Sequence, residues 1–265
     1  MNNVLVIIAA GLSSRMNGMP KHLCKINNTY NIVNTIEKSK YFFDQIYVVL
    51  NKKLDDEFKN ITQDAIKKYE NVNTIYIESG KGDADAVLKA FKHLDDLYLT
   101  ESNFIFCWGD AYFKSSDPFK DMLSVNMKYS HSAMAVGVVV DKDPYAWFDV
   151  EDNKIVKSHF KKYESSIDYG IHDQCIFKTN NKIFAYMLIT YAHYLGYDGN
   201  NYLNTEHNEM GLLNFITWLA DTYKDLDKRY LARTVPITAN KVVSFNTEDE
   251  LKNLNNLIEN ESSSN

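Results

Sequence analysis

The 265 residues carry 29 basic against 35 acidic side chains, a net charge of -6, and 45% of them are hydrophobic. That length and apolar content fill one large domain with a substantial core, and the acidic balance argues against a general nucleic-acid or acidic-membrane surface. No apolar run approaches the roughly 20 residues that span a bilayer, and residues 3–10 are too short and lack the basic flank of a secretory signal. A cytoplasmic chain is expected. Cys24, Cys107 and Cys175 are far apart and lack Cys-x-x-Cys spacing, so neither structural zinc nor a disulfide framework is expected.

In chain order, a strand over 4–8 leads to a helix near 31–38, and a strand over 45–50 to a helix near 55–69. A strand over 73–77 precedes the clearest helix, where Val87, Ala90, Phe91, Leu94 and Leu97 keep helical spacing. Residues 104–108 form a continuous apolar strand of the kind buried on both faces of a parallel sheet. This alternation predicts a layered α/β domain with right-handed crossovers. The second half is less regular: a strand over 133–140, then 146–150 with 154–160 as a hairpin around Asp152-Asn153. Two helices follow, marked by Ile183, Phe184, Met187, Leu188 and Tyr191, and by Leu212, Leu213, Phe215, Ile216, Leu219 and Tyr223. A late strand over 241–245 enters a final helix whose start, Thr247-Glu248-Asp249-Glu250, has capping-box form. We expect one domain over 1–260, with halves 1–140 and 141–260, and a disordered tail over 261–265.

The first strand runs into Ala9-Ala10-Gly11-Leu12-Ser13-Ser14-Arg15-Met16, followed by Pro20-Lys21-His22-Leu23. Ligands of open α/β sheets bind beyond the carboxyl ends of the strands. Ala9, Ala10 and Gly11 lack bulk, so phosphate oxygens can approach their N–H groups. Arg15 can grip two phosphate oxygens and Lys21 adds a mobile point charge. The P-loop and dinucleotide fingerprints are both missing. Asp110, after Trp108-Gly109 at the same sheet edge, suits a hard cation such as Mg²⁺, which favours one or two carboxylates plus substrate phosphates. His22 and Cys24 read as packing and surface residues.

The run Ala-Ala-Gly-x-Ser-x-Arg-Met with Pro-Lys-x-Leu resembles the signature of the sugar-nucleotide pyrophosphorylases and related MobA-like nucleotidyltransferases. Gly82-Asp83-Ala84-Asp85-Ala86-Val87 resembles their Gly-Thr-Ala-x-Ala-Val segment, Trp108-Gly109-Asp110 their metal-binding Tyr-Gly-Asp, and residues 244–251 their closing Val-Asn-x-x-x-x-Leu segment. The resemblance implies a Rossmann-like three-layer α/β/α (GT-A-like) fold, with a mostly parallel central sheet and a smaller acceptor-side β element. It implies transfer of a nucleotidyl group from a nucleoside triphosphate to a phosphorylated acceptor, with pyrophosphate leaving. Arg15 would grip the β and γ phosphates and Lys21 would stabilise charge at the α-phosphate. Gly11 and its neighbours would cradle the triphosphate, with Gly80, Gly82, Asp83, Trp108 and Gly109 lining the nucleotide. Asp110 would bind Mg²⁺, with Asn246 either a second ligand or the cap of the last helix.

Where uridylyltransferases read the base with Gln, this chain has Gly80, and their threonine is Asp83. A carboxylate there would repel uracil O4 but could accept from the cytosine amine, so CTP is expected ahead of UTP and GTP; Asp83 as a helix cap is the structural reading. The acceptor is a phosphorylated sugar or another small phospho-metabolite, phosphocholine-like or phospho-amino-acid-like. Lys161, Asp173 and Glu209 are candidates to hold it, and Tyr145 and Trp147 to wall its pocket. Supply of capsule or cell-surface glycans is the setting the resemblance implies, and a homo-oligomer stays open. The alternatives are a UTP-dependent sugar-1-phosphate uridylyltransferase, a glycosyltransferase using Asp83-Ala84-Asp85 as an Asp-x-Asp motif, and a non-catalytic nucleotide-binding regulatory subunit.

Overall fold

The computed structural model describes residues 2–11, 16–78, 81–98, 103–127, 132–205, 207–223, 230–238 and 241–263. Its elements are β1 (Asn3–Ala9), a 3-10 turn (Lys21–Leu23), β2 (Lys25–Ile26), β3 (Thr29–Tyr30), α1 (Asn31–Ser39), β4 (Gln45–Asn51), α2 (Asp56–Ile66) and β5 (Val72–Ile77). Then come α3 (Asp83–Tyr98), β6 (Asn103–Trp108), β7 (Ala111–Phe113), α4 (Asp117–Ser124), β8 (Ser132–Lys142), β9 (Ala146–Glu151) and β10 (Lys154–Phe160). The chain closes with β11 (Tyr169–Thr179), α5 (Asn181–Tyr194), α6 (Leu212–Tyr223), β12 (Tyr230–Pro236), β13 (Val242–Ser244) and α7 (Glu248–Ser263). No helix among the described residues is long and apolar enough to cross a membrane.

Nine strands form one sheet in the order β5-β4-β1-β6-β11-β8-β12-β10-β9, and β7 with β13 and β2 with β3 make two short ladders. The strands β5, β4, β1 and β6 are parallel. Their side chains divide by parity, as the alternation of a strand requires. Val4, Val6 and Ile8 join the core under α3, α5 and α6, whereas Leu5 and Ile7 join the core under α1, α2 and α4. Three layers result, and the continuous apolar runs of β1 and β6 are explained by cover on both faces.

Parallel pairing ends at β6. Strand β11 lies antiparallel to it and β8 antiparallel to β11, and only β12 against β8 is parallel again. The register of β11 on β8 slips between Asp173 and Phe177, where Cys175 takes a left-handed φ of 57°. A bulge of this kind bends a strand and re-aims its side chains. Beyond it, β11 has left β6 and pairs through Ile171 with Phe148 of β9. The second half therefore curls back on itself as a smaller β element, and β6 and β11 part at the carboxyl end of β6, the place where open α/β sheets leave a crevice. The β9–β10 hairpin turns on Asp152 and Asn153, both with positive φ, the geometry that two-residue hairpin loops favour.

Helix α7 runs to Ser263, beyond residue 261 where a disordered tail was expected, and Glu261 pairs with Lys114 at 2.7 Å. It packs Leu254 and Ile258, with Phe245, on Met16, Cys24 and Ile26 as a third apolar cluster. Those last three residues flank Lys21, so the final helix grips the loop after β1. A second grip comes from His22, which is buried against α2 with Nε2 3.0 Å from the Thr62 hydroxyl. That hydroxyl donates to the Phe58 carbonyl, so Nε2 carries the proton and the imidazole is neutral.

Burial pushes the His22 pKa down from 6.5 to about 4. The unfolded chain therefore binds the extra proton first as pH falls, and the stability present above pH 6.5 is lost towards pH 4. Between pH 7.5 and pH 5 this residue costs about 2 kcal/mol of folding free energy. Urea titrations at the two pH values should show that loss shrinking by most of this amount in His22→Gln.

Candidate active site

The carboxyl ends of β1 and β6 lie side by side. The Gly109 N–H donates to the Ile8 carbonyl at 2.8 Å, and a Cβ at Gly109 would stand 2.8 Å from the Ala9 Cβ. Only glycine permits this approach, which sets Asp110 beside the loop that follows β1. Ala10 is buried and its carbonyl accepts from Asn51 Nδ2 at 3.3 Å. Gly11 is exposed, with open space where a side chain would project. In the run Ala9-Ala10-Gly11, open space of this kind is therefore seen at Gly11 alone, and residues 12–15 lie outside the described residues. Arg15 and Gly80 lie outside the described residues.

Lys21 is held on the 3-10 turn and points across the strand ends. Its Nζ donates to Asp110 Oδ2 at 2.7 Å and to Asn246 Oδ1 at 2.7 Å. Residues 89 and 225 positions away along the chain so converge on one ammonium. Asn246 follows β13, whose ladder with β7 pairs Ser244 with Ala111, the residue next to Asp110. Asn246 does not cap α7. Thr247 Oγ1 accepts the Glu250 N–H at 3.2 Å, and Glu250 in turn takes the Asn246 N–H. This is a capping box whose glutamate reaches one residue further back than usual, and it leaves the Asn246 amide aimed at Lys21. Asp110 Oδ2 and Asn246 Oδ1 are hard oxygens that meet at one point, a donor pair suited to a hard divalent cation. Among the described residues no group of three or more His, Cys, Asp or Glu gathers as a metal site.

Asp83 opens α3 and joins it to α6: its Oδ1 accepts the Leu212 N–H at 2.7 Å and the Ala84 N–H at 2.8 Å. Met210 reinforces the join, donating to the Lys81 carbonyl at 2.6 Å and accepting from the Ala84 N–H at 3.0 Å. Gly82 has φ 101°, and any Cβ there would overlap the Met210 backbone. The capping reading of Asp83 therefore holds, and only Oδ2 could address a base. Asp83 keeps an exposed surface, yet desolvation by the protein around it pushes its carboxyl up to about 6, against the pull of the Leu212 and Ala84 N–H groups and with added repulsion from Asp173. Asp173, set by the β11 bulge, is likewise raised, by burial first and by Asp110 last; its Oδ2 accepts the Cys175 N–H at 3.2 Å. Asp83 therefore feels Asp173, and Asp173 feels Asp110.

Other expected site residues are engaged elsewhere. Asp85 is buried between the Tyr202 hydroxyl and Lys89 Nζ, each at 2.8 Å, so Asp83-Ala84-Asp85 is no pair of metal carboxylates. Trp108 is half-buried against Phe106 and Phe177. Lys161 is exposed and paired with Asp143 at 2.6 Å, away from the carboxylate group. Trp147 is buried and stacks on His159, the packing alternative for that residue, and Tyr145 is exposed. Glu209 is exposed at the rim, one residue before Met210. Sequence reading missed Met210 and Asn31. For Asn31 a signal existed: it shares the buried stripe of α1 with Ile32, Thr35, Ile36 and Ser39, where a polar amide needs a reason.

The whole chain is similar in fold to solved nucleotidyltransferase structures. One, described as a glucose-1-phosphate thymidylyltransferase of Bacillus anthracis, superposes with a TM-score of 0.69 at 16% identity, covering 96% of this chain and 94% of that one. The CTP:phosphocholine cytidylyltransferase of Streptococcus pneumoniae gives 0.66 at 15% identity, covering 97% and 100%. In sequence, 157 residues are 31% identical to the 2-C-methyl-D-erythritol 4-phosphate cytidylyltransferase of Thermosipho melanesiensis, which is 58% of this chain and 65% of that one. The chain thus spans just under two thirds of that curated relative's length. Residues 5–150 match the MobA-like NTP transferase domain. That stretch is more than half of the chain and holds β1, Lys21 and Asp110, and the protein is a member of the MobA-like NTP transferase domain family.

Proposed function

We propose that the protein is a nucleotidyltransferase that moves a nucleoside monophosphate, with CTP preferred, from its triphosphate to a small phosphorylated acceptor and releases pyrophosphate. The convergence of Lys21, Asp110 and Asn246 carries this reading. An acceptor phosphate attacks the α-phosphorus in line, and the bond to the leaving pyrophosphate breaks. The protein has little covalent work in such a step beyond positioning and neutralising charge. The backbone around Ala10 and Gly11 receives the triphosphate, Arg15 holds its terminal phosphates, and Lys21 turns from Asp110 to the α-phosphate. Asp110 and Asn246 would hold Mg²⁺, which when bound supplies charge neutralisation at the reacting phosphates. Lys21→Ala and Asp110→Ala should each lower pyrophosphate release by a factor of a hundred or more, an effect of about 3 kcal/mol. Rates within tenfold of the parent would remove both residues from the chemistry. EDTA should silence the reaction and Mg²⁺ restore it.

The acceptor lies on the Asp173 side of the site, beyond the base. A carboxylate there suits a hydroxyl or a cationic group, as on a phosphorylated sugar or a phosphocholine-like metabolite. A screen crossing the four triphosphates with such acceptors identifies both substrates, and a clear preference for UTP would sink the cytosine reading.

Base choice is assigned to Asp83 Oδ2, which can accept from the cytosine exocyclic amine. Asp83→Asn keeps the oxygen that ties α3 to α6 and should melt within a few degrees of the parent. With Oδ2 replaced by a donor, its preference for CTP over UTP should fall about tenfold or more. Asp83→Ala should also lose about 1–3 kcal/mol of stability by leaving the Leu212 N–H unpaired. Triphosphate competition assays and thermal melts read the two effects separately.

A further inference from the structure

We propose that Asn31 is a positioning residue for the transfer step, setting Lys21 and Asp110 against each other through its amide and its backbone. Asn31 is fully buried at the first position of α1. Its Nδ2 donates to the carbonyls of Gly109 at 3.0 Å and Ala111 at 3.1 Å, the residues on either side of Asp110. Its own N–H donates to the Cys24 carbonyl at 2.9 Å, at the end of the turn that carries Lys21. One residue thus fixes both ends of the Lys21–Asp110 contact. Ala111 opens β7, whose ladder with β13 leads to Asn246, so the third member of the group is held by the same amide.

The orientation of the amide is determined. Reversed, it would set its oxygen against two carbonyl oxygens. As it stands, Oδ1 is buried with no hydrogen-bond partner among the described residues, and a buried acceptor left unmatched costs stability. A leucine would fill the same space without that loss. Packing alone therefore does not account for asparagine here, whereas holding the backbone around Asp110 does.

The inference rests on the roles proposed above for Lys21 and Asp110, so parent turnover is measured first. With an active parent, Asn31→Leu is compared for kcat, KM and melting temperature, and combined with Asp110→Asn. The expected result is kcat lowered tenfold or more, triphosphate KM within threefold, and a protein still folded at the assay temperature. The double variant should be no more than twofold slower than Asp110→Asn alone, because Asn31 acts through Asp110. A kcat within twofold of the parent overturns the proposal, as does a double variant whose losses multiply. If Asn31→Leu does not fold, Asn31→Ser is read by the same criteria, and failure of both to fold makes Asn31 a structural residue and overturns the proposal. A parent inactive with every triphosphate and acceptor means that the functional reading fails instead. The positioning role is then judged by the ¹⁵N signal of the Lys21 ammonium, whose loss in the variant supports it and whose persistence overturns it.

Discussion

Everything at the ligand end of this fold is organised around one ammonium and two oxygens. Lys21, Asp110 and Asn246 come from a turn after the first strand, a turn after the fourth parallel strand, and the lead-in to the last helix. An ion pair whose side chains keep about a fifth of their surface in solvent contributes little to stability by itself. The placement must therefore come from the surroundings: the apolar cluster of Met16, Cys24 and Ile26 on α7, the buried His22 on α2, and the glycine that lets Asp110 approach β1. The packing energy resides in these supports, and the three polar groups need contribute little of it.

The opposite wall of the crevice is built on a different principle. Two helix N-termini, those of α3 and α6, meet at Asp83, so that one carboxylate satisfies N–H groups of both. Helix N-termini carry partial positive charge, and an anion shared between them is stabilised from both sides while burial opposes its charge. Asp173 is brought opposite by a strand that bends at a left-handed cysteine. The Lys21 end thus pairs an ammonium with one carboxylate, whereas Asp83 and Asp173 have no cation set against them in their hydrogen bonds among the described residues.

Much of this could be read in the sequence, and the limits are physical. The parallel strands β1, β4 and β6 are uninterrupted apolar runs, and little else produces that pattern. Strand β11 escaped because its bulge breaks the alternation through His172, Asp173, Gln174 and Cys175, so that a strand reads as a polar loop. Helix α4 carried a legible start, Ser116-Asp117-Pro118, that was not weighed. The motif residues Lys21, Asp110 and Asn246 were named from local runs, and the structure brings those three together. Lys161 was named from chemistry alone and is engaged with Asp143, because a lone lysine carries no information about which carboxylate it will meet. The double duty of Asp83 depends on Leu212, 129 positions away, a distance over which residue type says nothing of contact.

The order of the pieces along the chain has a consequence for biosynthesis. The parallel strands, the two main cores and the Lys21 turn are all encoded before α7, the outer of the two grips on that turn. Until α7 leaves the ribosome, Met16, Cys24 and Ile26 have no cover and Lys21 lacks its second acceptor. A nascent chain can thus assemble its parallel strands before the Lys21 turn gains the cover of α7.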